Sequence, residues 1–343
     1  MNLTASAYQP STDTNLFAAQ DFRGRPLMVP DQVIDGSDPY LNLMPEELAP
    51  YYQTHGYVVA RNVIPAAQCE RAMQAFNALV KPYDGHLYRQ PSGGKPETHR
   101  FSAEGFMLNS ILNPHDLNSG RFGQFRRAAL EIFSSPEIQQ VLHRLFGEAG
   151  VLVQSMYFEG NPQTWPHQDT YYLDSEHLGG MTATWIALED IKPGAGRFYV
   201  CPGSHRIDMK KNGGDFDVAF NHARYKALAA SLIEERELQI HAPALRRGDI
   251  LFWNSRTLHG SLPTTTPQYS RSSFTAHYIP RSHRFMQFQS RVKSFRNEEW
   301  NQVGINHPKD QDLLANRLVL GLEAQFPRSF QAMKNLAIKV VTR

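Results

Sequence analysis

Between Gly150 and Pro280 the sequence predicts a mainly β domain, a barrel or two-sheet roll, with helices flanking it. Three observations carry that expectation. Short runs rich in β-branched and aromatic residues recur at Val151 to Phe158, Thr182 to Leu188, Arg197 to Cys201, Ile250 to Trp253 and Ser272 to Ile279. Turn-forming groups such as Lys192-Pro193-Gly194-Ala195-Gly196 and Pro202-Gly203-Ser204 separate them. On either side, apolar positions recur at helical spacing instead.

Taken in order, residues 1 to 45 mix Ser, Thr, Pro, Asp and Asn with few periodic apolar positions and read as an arm. Pro45 to His55 reads as a helix stopped by Gly56, and Tyr57-Val58-Val59-Ala60 as a short strand. Pro65 opens a second helix, where its missing N–H costs nothing, with Met73, Phe76, Leu79 and Val80 on one face. Gly85, Pro91, Gly93, Gly94 and Pro96 mark residues 84 to 105 as a loop. Two helical patterns meet near Pro136, between Phe122 and Phe146. The stretch Asp208 to Glu237 is polar and then helical, an insert or lid. Pro280 ends the β region. Residues 310 to 338 read as one or two helices broken at Pro327, which can pack on the barrel or pair two subunits as a homodimer. The expected division is an arm over 1–45, a catalytic domain over 46–280 and a helical extension over 281–343.

Composition narrows the class. In 343 residues, 41% are hydrophobic and 20% charged, which suits a folded domain with a real core. A net charge of +2 offers no electrostatic case for nucleic acid or a membrane surface. No run is long and apolar enough to span a bilayer. Two cysteines, Cys69 and Cys201, cannot build a disulfide framework and suit a reducing compartment, so the expected location is the cytoplasm.

The chemistry concentrates in Trp165-Pro166-His167-Gln168-Asp169. On an extended segment His167 and Asp169 point to one face. A second histidine would complete a two-histidine, one-carboxylate set that holds a metal on one side and leaves three positions open. His259, in Leu258-His259-Gly260-Ser261, fits that need, and Gly260 lets the backbone pass close by. Such a set suits non-haem Fe(II), although zinc hydrolases also use His and carboxylate ligands. Arg271 favours iron, because a keto acid chelating it has a second carboxylate that a guanidinium matches in charge and geometry.

These motifs, with Trp185 in Trp185-Ile186-Ala187-Leu188, Pro202-Gly203-Ser204-His205 and the Gly-Tyr-Val-Val core of Tyr52 to Ile64, resemble the phytanoyl-CoA dioxygenase family of Fe(II)/2-oxoglutarate-dependent oxygenases. The resemblance covers roughly residues 47 to 280. It implies a double-stranded β-helix, a jelly-roll and cupin-like core. It implies oxidation of a substrate C–H bond by dioxygen while 2-oxoglutarate becomes succinate and carbon dioxide. Position by position it implies His167, Asp169 and His259 as iron ligands, Arg271 as the partner of the distal 2-oxoglutarate carboxylate, and Trp185 as a wall of that pocket. Ser273, Gln154 and Tyr157 are further expected contacts. The intact acid at 169 disfavours the halogenating variant, in which a small residue admits chloride. The inserts and the tail after Pro280 match no pattern of the family, so an acyl-CoA substrate is not inherited.

Substrate contacts are expected from Arg89 and Arg100 in the 84 to 105 loop and from Tyr171, which favours a polar or anionic small molecule. His205 and Arg206 read as stabilising a turn. His277 alternates with the Arg271 strand face, which can bring it near the site, but a satisfied core histidine is the favoured reading. Two other functions compete: a metal-dependent hydrolase or isomerase on a cupin-like barrel, and a non-catalytic metabolite-binding barrel. Uptake of oxygen with release of succinate separates the first reading from both.

Overall fold

A computed structural model describes residues 16–34, 40, 43–209, 221–288, 291–293 and 297–333. Its largest sheet runs, strand by strand, Tyr57–Ala60, Ile250–Asn254, Thr182–Ala187, Ser273–Pro280, Gly150–Phe158, Ile111–Leu112, Leu87–Arg89 and Lys95–Glu97, each antiparallel to its neighbour. A smaller pair, Phe198–Val200 with His259–Ser261, forms a second layer. A third sheet joins Leu173–Ser175, Phe285–Gln287 and Arg291–Lys293. Neighbours across a ladder share a face. Ser273, Thr275 and His277 therefore share one with Ala187, Trp185 and Ala183, and with Phe158, Met156 and Gln154. This is the inner face of the roll.

The outer face is apolar and carries the helices α1 (Leu48–His55), α2 (Ala66–Ala75), α3 (Ser119–Phe133) and α4 (Pro136–Phe146). Leu152, Tyr157, Ile186, Phe252, Phe274 and Tyr278 meet Phe125, Phe133 and Leu142 there. The Phe133 and Phe274 rings stand 5.0 Å apart at 70°. Helices of eight to fifteen residues are marginal alone, so this burial holds them, at roughly 1.5–3 kcal/mol for each large side chain. Gly56 ends α1 with φ 77° and an N–H to Tyr52 O of 2.7 Å, as its sequence implies. Cys69 and Cys201 are buried and free.

Several elements differ from the sequence expectation. Part of the arm is a hairpin, Leu16–Gln20 with Pro26–Pro30, whose Ala19 and Val29 are buried; the buried Arg197 binds Pro30 O and Asp31 O just beyond it. The loop after residue 84 contains the strands Leu87–Arg89 and Lys95–Glu97, too short to announce themselves by periodicity. The β structure does not stop at Pro280: Val303–Asn306 lies parallel to Gly150–Phe158 and antiparallel to Asn297–Trp300. The insert supplies α5 (His222–Glu235); its residues 210–220 lie outside the described set. The final helix α6 (Leu314–Gln325) ends before Pro327 as expected, but Leu314, Leu318 and Leu322 face outward while Glu323 is 4% exposed. Most of its apolar stripe is therefore not packed on the barrel.

Candidate metal centre and cosubstrate pocket

Gln168 is extended, with φ −106° and ψ 137°, so His167 and Asp169 do point to one face. Gln168 turns the other way, and its N–H is held by Tyr225 Oη of α5 at 2.8 Å. His167 sits opposite His259 in an antiparallel bridge, with both N–H to O distances at 3.0 Å. That bridge needs a close backbone, which Gly260 provides: a Cβ there would stand 2.8 Å from Thr164 O and from Tyr199 Oη.

The two imidazoles are oriented alike. His167 Nδ1 donates to Trp165 O and His259 Nδ1 to Thr257 O, each at 2.9 Å. A carbonyl can only accept, so the proton sits on Nδ1 and each Nε2 keeps its lone pair. Both Nε2 atoms turn to Asp169 Oδ1, at 3.6 Å from His167 and 3.4 Å from His259. The three ligand atoms lie within 4.8 Å of one another. All three side chains are buried. Burial lowers the His167 pKa and keeps the ring neutral. Burial pushes the Asp169 carboxyl up, but the polar groups around it, the His259 ring foremost, outweigh burial and hold it well below the usual range. Two neutral nitrogens and one anionic oxygen are the donor set a divalent metal takes, so these residues fit iron.

Two neighbours join this set: Trp253, which the sequence did not single out, and His277, for which the sequence favours a core role over a place near the site. Trp253 Nε1 donates to Asp169 Oδ2 at 2.8 Å, and His277 Nε2 stands 3.5 Å from the same oxygen. His277 is no mere core histidine. Both belong to the inner face, on rungs that cross at Ala183. The signal available was the even spacing of Arg271, Ser273, Thr275 and His277.

Arg271 lies just before the Ser273–Pro280 strand and is 2% exposed. Its Nη1 donates to Gly196 O at 3.2 Å, its guanidinium lies 5.5 Å from the Phe158 ring centre, and its Nε is buried without a hydrogen bond. Among the described residues no carboxylate pairs with it. Glu159, whose main-chain oxygen takes the Arg271 N–H, turns its carboxylate to Lys81 and to Met107 N. Glu189 spends its own on Ser270 and Ser272. Burial alone pulls the Arg271 pKa down to about 9, so it is still a cation at neutral pH. Ser273 Oγ, on the same strand face as His277, is likewise buried without a hydrogen bond. A buried cation and a hydroxyl, both unsatisfied, fit the carboxylate of a keto acid. Trp185 and Gln154 share this inner face. Trp185 lies nearly parallel to Phe198, with ring centres 6.1 Å apart.

A family model described as phytanoyl-CoA dioxygenase (PhyH) matches residues 52–273, more than half of the chain. The chain belongs to the phytanoyl-CoA dioxygenase family. It is 25% identical over 272 residues to phytanoyl-CoA dioxygenase domain-containing protein 1 of Bos taurus, covering 69% of this chain and 90% of that one. It is 22% identical over 277 residues to the peroxisomal phytanoyl-CoA dioxygenase of Homo sapiens, covering 78% and 77%. Among solved structures it is similar to the non-heme alpha ketoglutarate dependent carbocyclase SnoK of nogalamycin biosynthesis, with TM-score 0.53, 19% identity and coverage of 72% and 88%. The epimerase SnoN of the same biosynthesis gives TM-score 0.51 at 17% identity, covering 77% and 98%. These likenesses bear on the fold, a double-stranded β-helix.

Against that family frame, some expected contacts stand elsewhere. Tyr157 is on the outer face, its ring 4.3 Å from Phe76 and 5.4 Å from Phe274; three positions separate it from Gln154, so the two cannot share a face. Arg89 is fully buried, and its guanidinium already binds Asn109 O at 3.0 Å, Glu97 O at 3.2 Å and His99 Nδ1 at 3.1 Å. It stitches its own hairpin and, fully buried, presents no surface to a substrate from solvent. Arg100 is exposed and reaches Glu97 only at 3.8 Å. Tyr171 is buried and stacked on Tyr225 at 3.5 Å. The groups nearest His167 on the α5 side are Trp165, Tyr172 and His222, with Lys226 Nζ 4.6 Å above the Trp165 ring. A second cluster, His115, Asp116 and His307, has metal-like spacing. There His115 Nε2 donates to Asn306 O at 2.9 Å and Nδ1 takes the Ser155 hydroxyl at 2.6 Å, so no lone pair remains for a cation.

Proposed function

We propose that this chain is an Fe(II)- and 2-oxoglutarate-dependent dioxygenase that oxidises a C–H bond of a small molecule. One observation carries the reading: two buried Nε2 lone pairs and one carboxylate oxygen converge at one end of an inner face that holds, at its other end, a buried arginine with no carboxylate partner among the described residues. Fe(II) with 2-oxoglutarate bound there supplies activation of dioxygen, and 2-oxoglutarate, dioxygen and R–H become succinate, carbon dioxide and R–OH. His167 and His259 would hold the iron through neutral nitrogen, and Asp169 through negative charge. Arg271 pairs its fork with the distal carboxylate, and the Ser273 hydroxyl donates to the same group. Trp185, Trp253 and Phe198 keep water from the enclosed face.

The rings and cations around His167, namely Trp165, Tyr172, His222 and Lys226, support a substrate that is an organic anion with a flat or apolar part. The test is anaerobic loading with Fe(II), then oxygen uptake and succinate release with 2-oxoglutarate over a panel of small acids. Succinate formed only with iron and oxygen supports the proposal. Metal-dependent hydrolysis without consumption of 2-oxoglutarate would replace it with a hydrolase.

A further inference from the structure

We infer that Trp253 and His277 are positioning residues that commit one oxygen of Asp169 to the protein, so that the carboxylate can meet a divalent metal through Oδ1 alone. The inference rests on the metal centre proposed above and adds to it how that centre keeps its open positions.

The two oxygens of Asp169 have different surroundings. Oδ1 faces the two ligand nitrogens, at 3.6 and 3.4 Å. Oδ2 faces away from them, toward the indole N–H of Trp253 at 2.8 Å and the His277 imidazole at 3.5 Å. Indole N–H can only donate, so its bond to a carboxylate is charge-assisted and cannot be reversed by a change of tautomer. Trp253 cannot swing away: it is 1% exposed, with its ring centre 4.7 Å from Phe198 and 5.0 Å from His259. His277 is 2% exposed, and its Nδ1 has no hydrogen bond. The ring's Nε2 side is turned to Asp169 Oδ2, and an Nε2–H tautomer serves that contact.

The consequence is a matter of coordination number. Two histidines and one carboxylate oxygen fill three positions of an octahedral metal and leave three. A carboxylate free to rotate can chelate through both oxygens and take a fourth. With Oδ2 held by Trp253 and flanked by His277, chelation requires breaking a buried charge-assisted bond. The pair thus guards the position that a bidentate keto acid and dioxygen need between them.

The test uses the full chain and Co(II) as the probe, read by its affinity and its visible absorption, with and without 2-oxoglutarate under anaerobic conditions. Trp253→Phe keeps a ring and loses the donor. Freeing Oδ2 to chelate, it is expected to move the ligand-field bands toward a higher coordination number and to weaken 2-oxoglutarate binding to the Co(II) form about 10–100-fold, because the carboxylate then occupies a position the keto acid needs. His277→Gln keeps an N–H and is expected to stay close to wild type, while His277→Leu shifts the bands in the same sense as Trp253→Phe. If Trp253→Phe, folded by near-UV circular dichroism, matches wild type in Co(II) spectrum and in 2-oxoglutarate binding, the inference is overturned while the metal centre stands. If wild type itself takes up no Co(II), the metal centre fails and this inference falls with it.

Discussion

His167 and His259 face each other across one backbone bridge, each giving its N–H to the other's carbonyl at 3.0 Å. The pairing is made by main-chain atoms, while the side chains contribute only the two inward Nε2 atoms. Structure and chemistry are therefore separable at these positions. His167→Ala or His259→Ala is expected to leave far-UV circular dichroism and the melting temperature of the metal-free protein close to wild type. Either change should abolish iron-dependent turnover of 2-oxoglutarate. Wild-type turnover in a folded variant would remove the assignment of that ligand.

Arg271 is a buried cation at neutral pH with no carboxylate among the described residues to answer it, so it costs stability until an anion arrives. Arg271→Met is expected to melt at or above the wild-type temperature without ligands. It should also lose the stabilisation that 2-oxoglutarate with Mn(II) gives wild type, about 2.7 kcal/mol at a hundredfold excess over Kd. Arg271→Lys keeps the charge and loses the fork, which should weaken 2-oxoglutarate by about 1.5–3 kcal/mol, or one to two decades. Thermal shift in a 2-oxoglutarate titration reads both. An unchanged ligand response in Arg271→Met would exclude the guanidinium from the pocket.

Acid sensitivity has a specific source at His115. Burial, joined by the field of His307, outweighs the pull of Asp116 and lowers its pKa to about 4, against roughly 6.5 in the unfolded chain. Between those values the unfolded state binds the extra proton, so stability rises with pH there. The contribution is complete above about pH 6.5 and fades as the pH falls toward 4, by about 3 kcal/mol in all. Urea unfolding at pH 7, 6 and 5 should show this slope in wild type and a flatter one in His115→Gln. Equal slopes would place the acid sensitivity elsewhere.

Legibility in the sequence followed the range of the physical signal. His167 and Asp169 are two apart on an extended segment, and a period of two is local, so their common face could be read directly. The recurrent strands and the Gly56 cap are local too. Trp253 was not legible, because its place beside Asp169 depends on the register of two ladders that meet at Ala183, whereas the even spacing of His277 from Arg271 is local and put it on the inner face. Tyr157 was legible by the same local rule: its odd separation from Gln154 within one strand sends it to the helical layer. Val303–Asn306 joins the main sheet through a parallel pairing more than 140 residues distant, which no window of sequence contains. The outward face of α6 was hidden for a related reason: a leucine stripe announces a helix with a partner, but not which side the domain occupies.

Arg89 shows how a composition signal can be right about importance and misplace its cause. A Gly- and Pro-rich stretch carrying Tyr, His and Arg suggests a substrate entrance, yet the fold pulls this guanidinium inside, and burial lowers its pKa to about 10. Its hydrogen bonds tie Glu97 O and Asn109 O, so the hairpin Leu87–Arg89 with Lys95–Glu97 closes around it. Removing it leaves those carbonyls unpaired in a dry site, at about 1–3 kcal/mol each. Arg89→Ala is therefore expected to lower the urea midpoint clearly. In the dioxygenase reading, it should reduce substrate-coupled and uncoupled consumption of 2-oxoglutarate in parallel, because the loss acts through folded protein. Arg100→Ala, at an exposed side chain with one 3.8 Å contact, should leave the unfolding free energy within about 0.5 kcal/mol of wild type. A stable Arg89→Ala protein that loses coupled turnover alone would restore Arg89 to the substrate pocket.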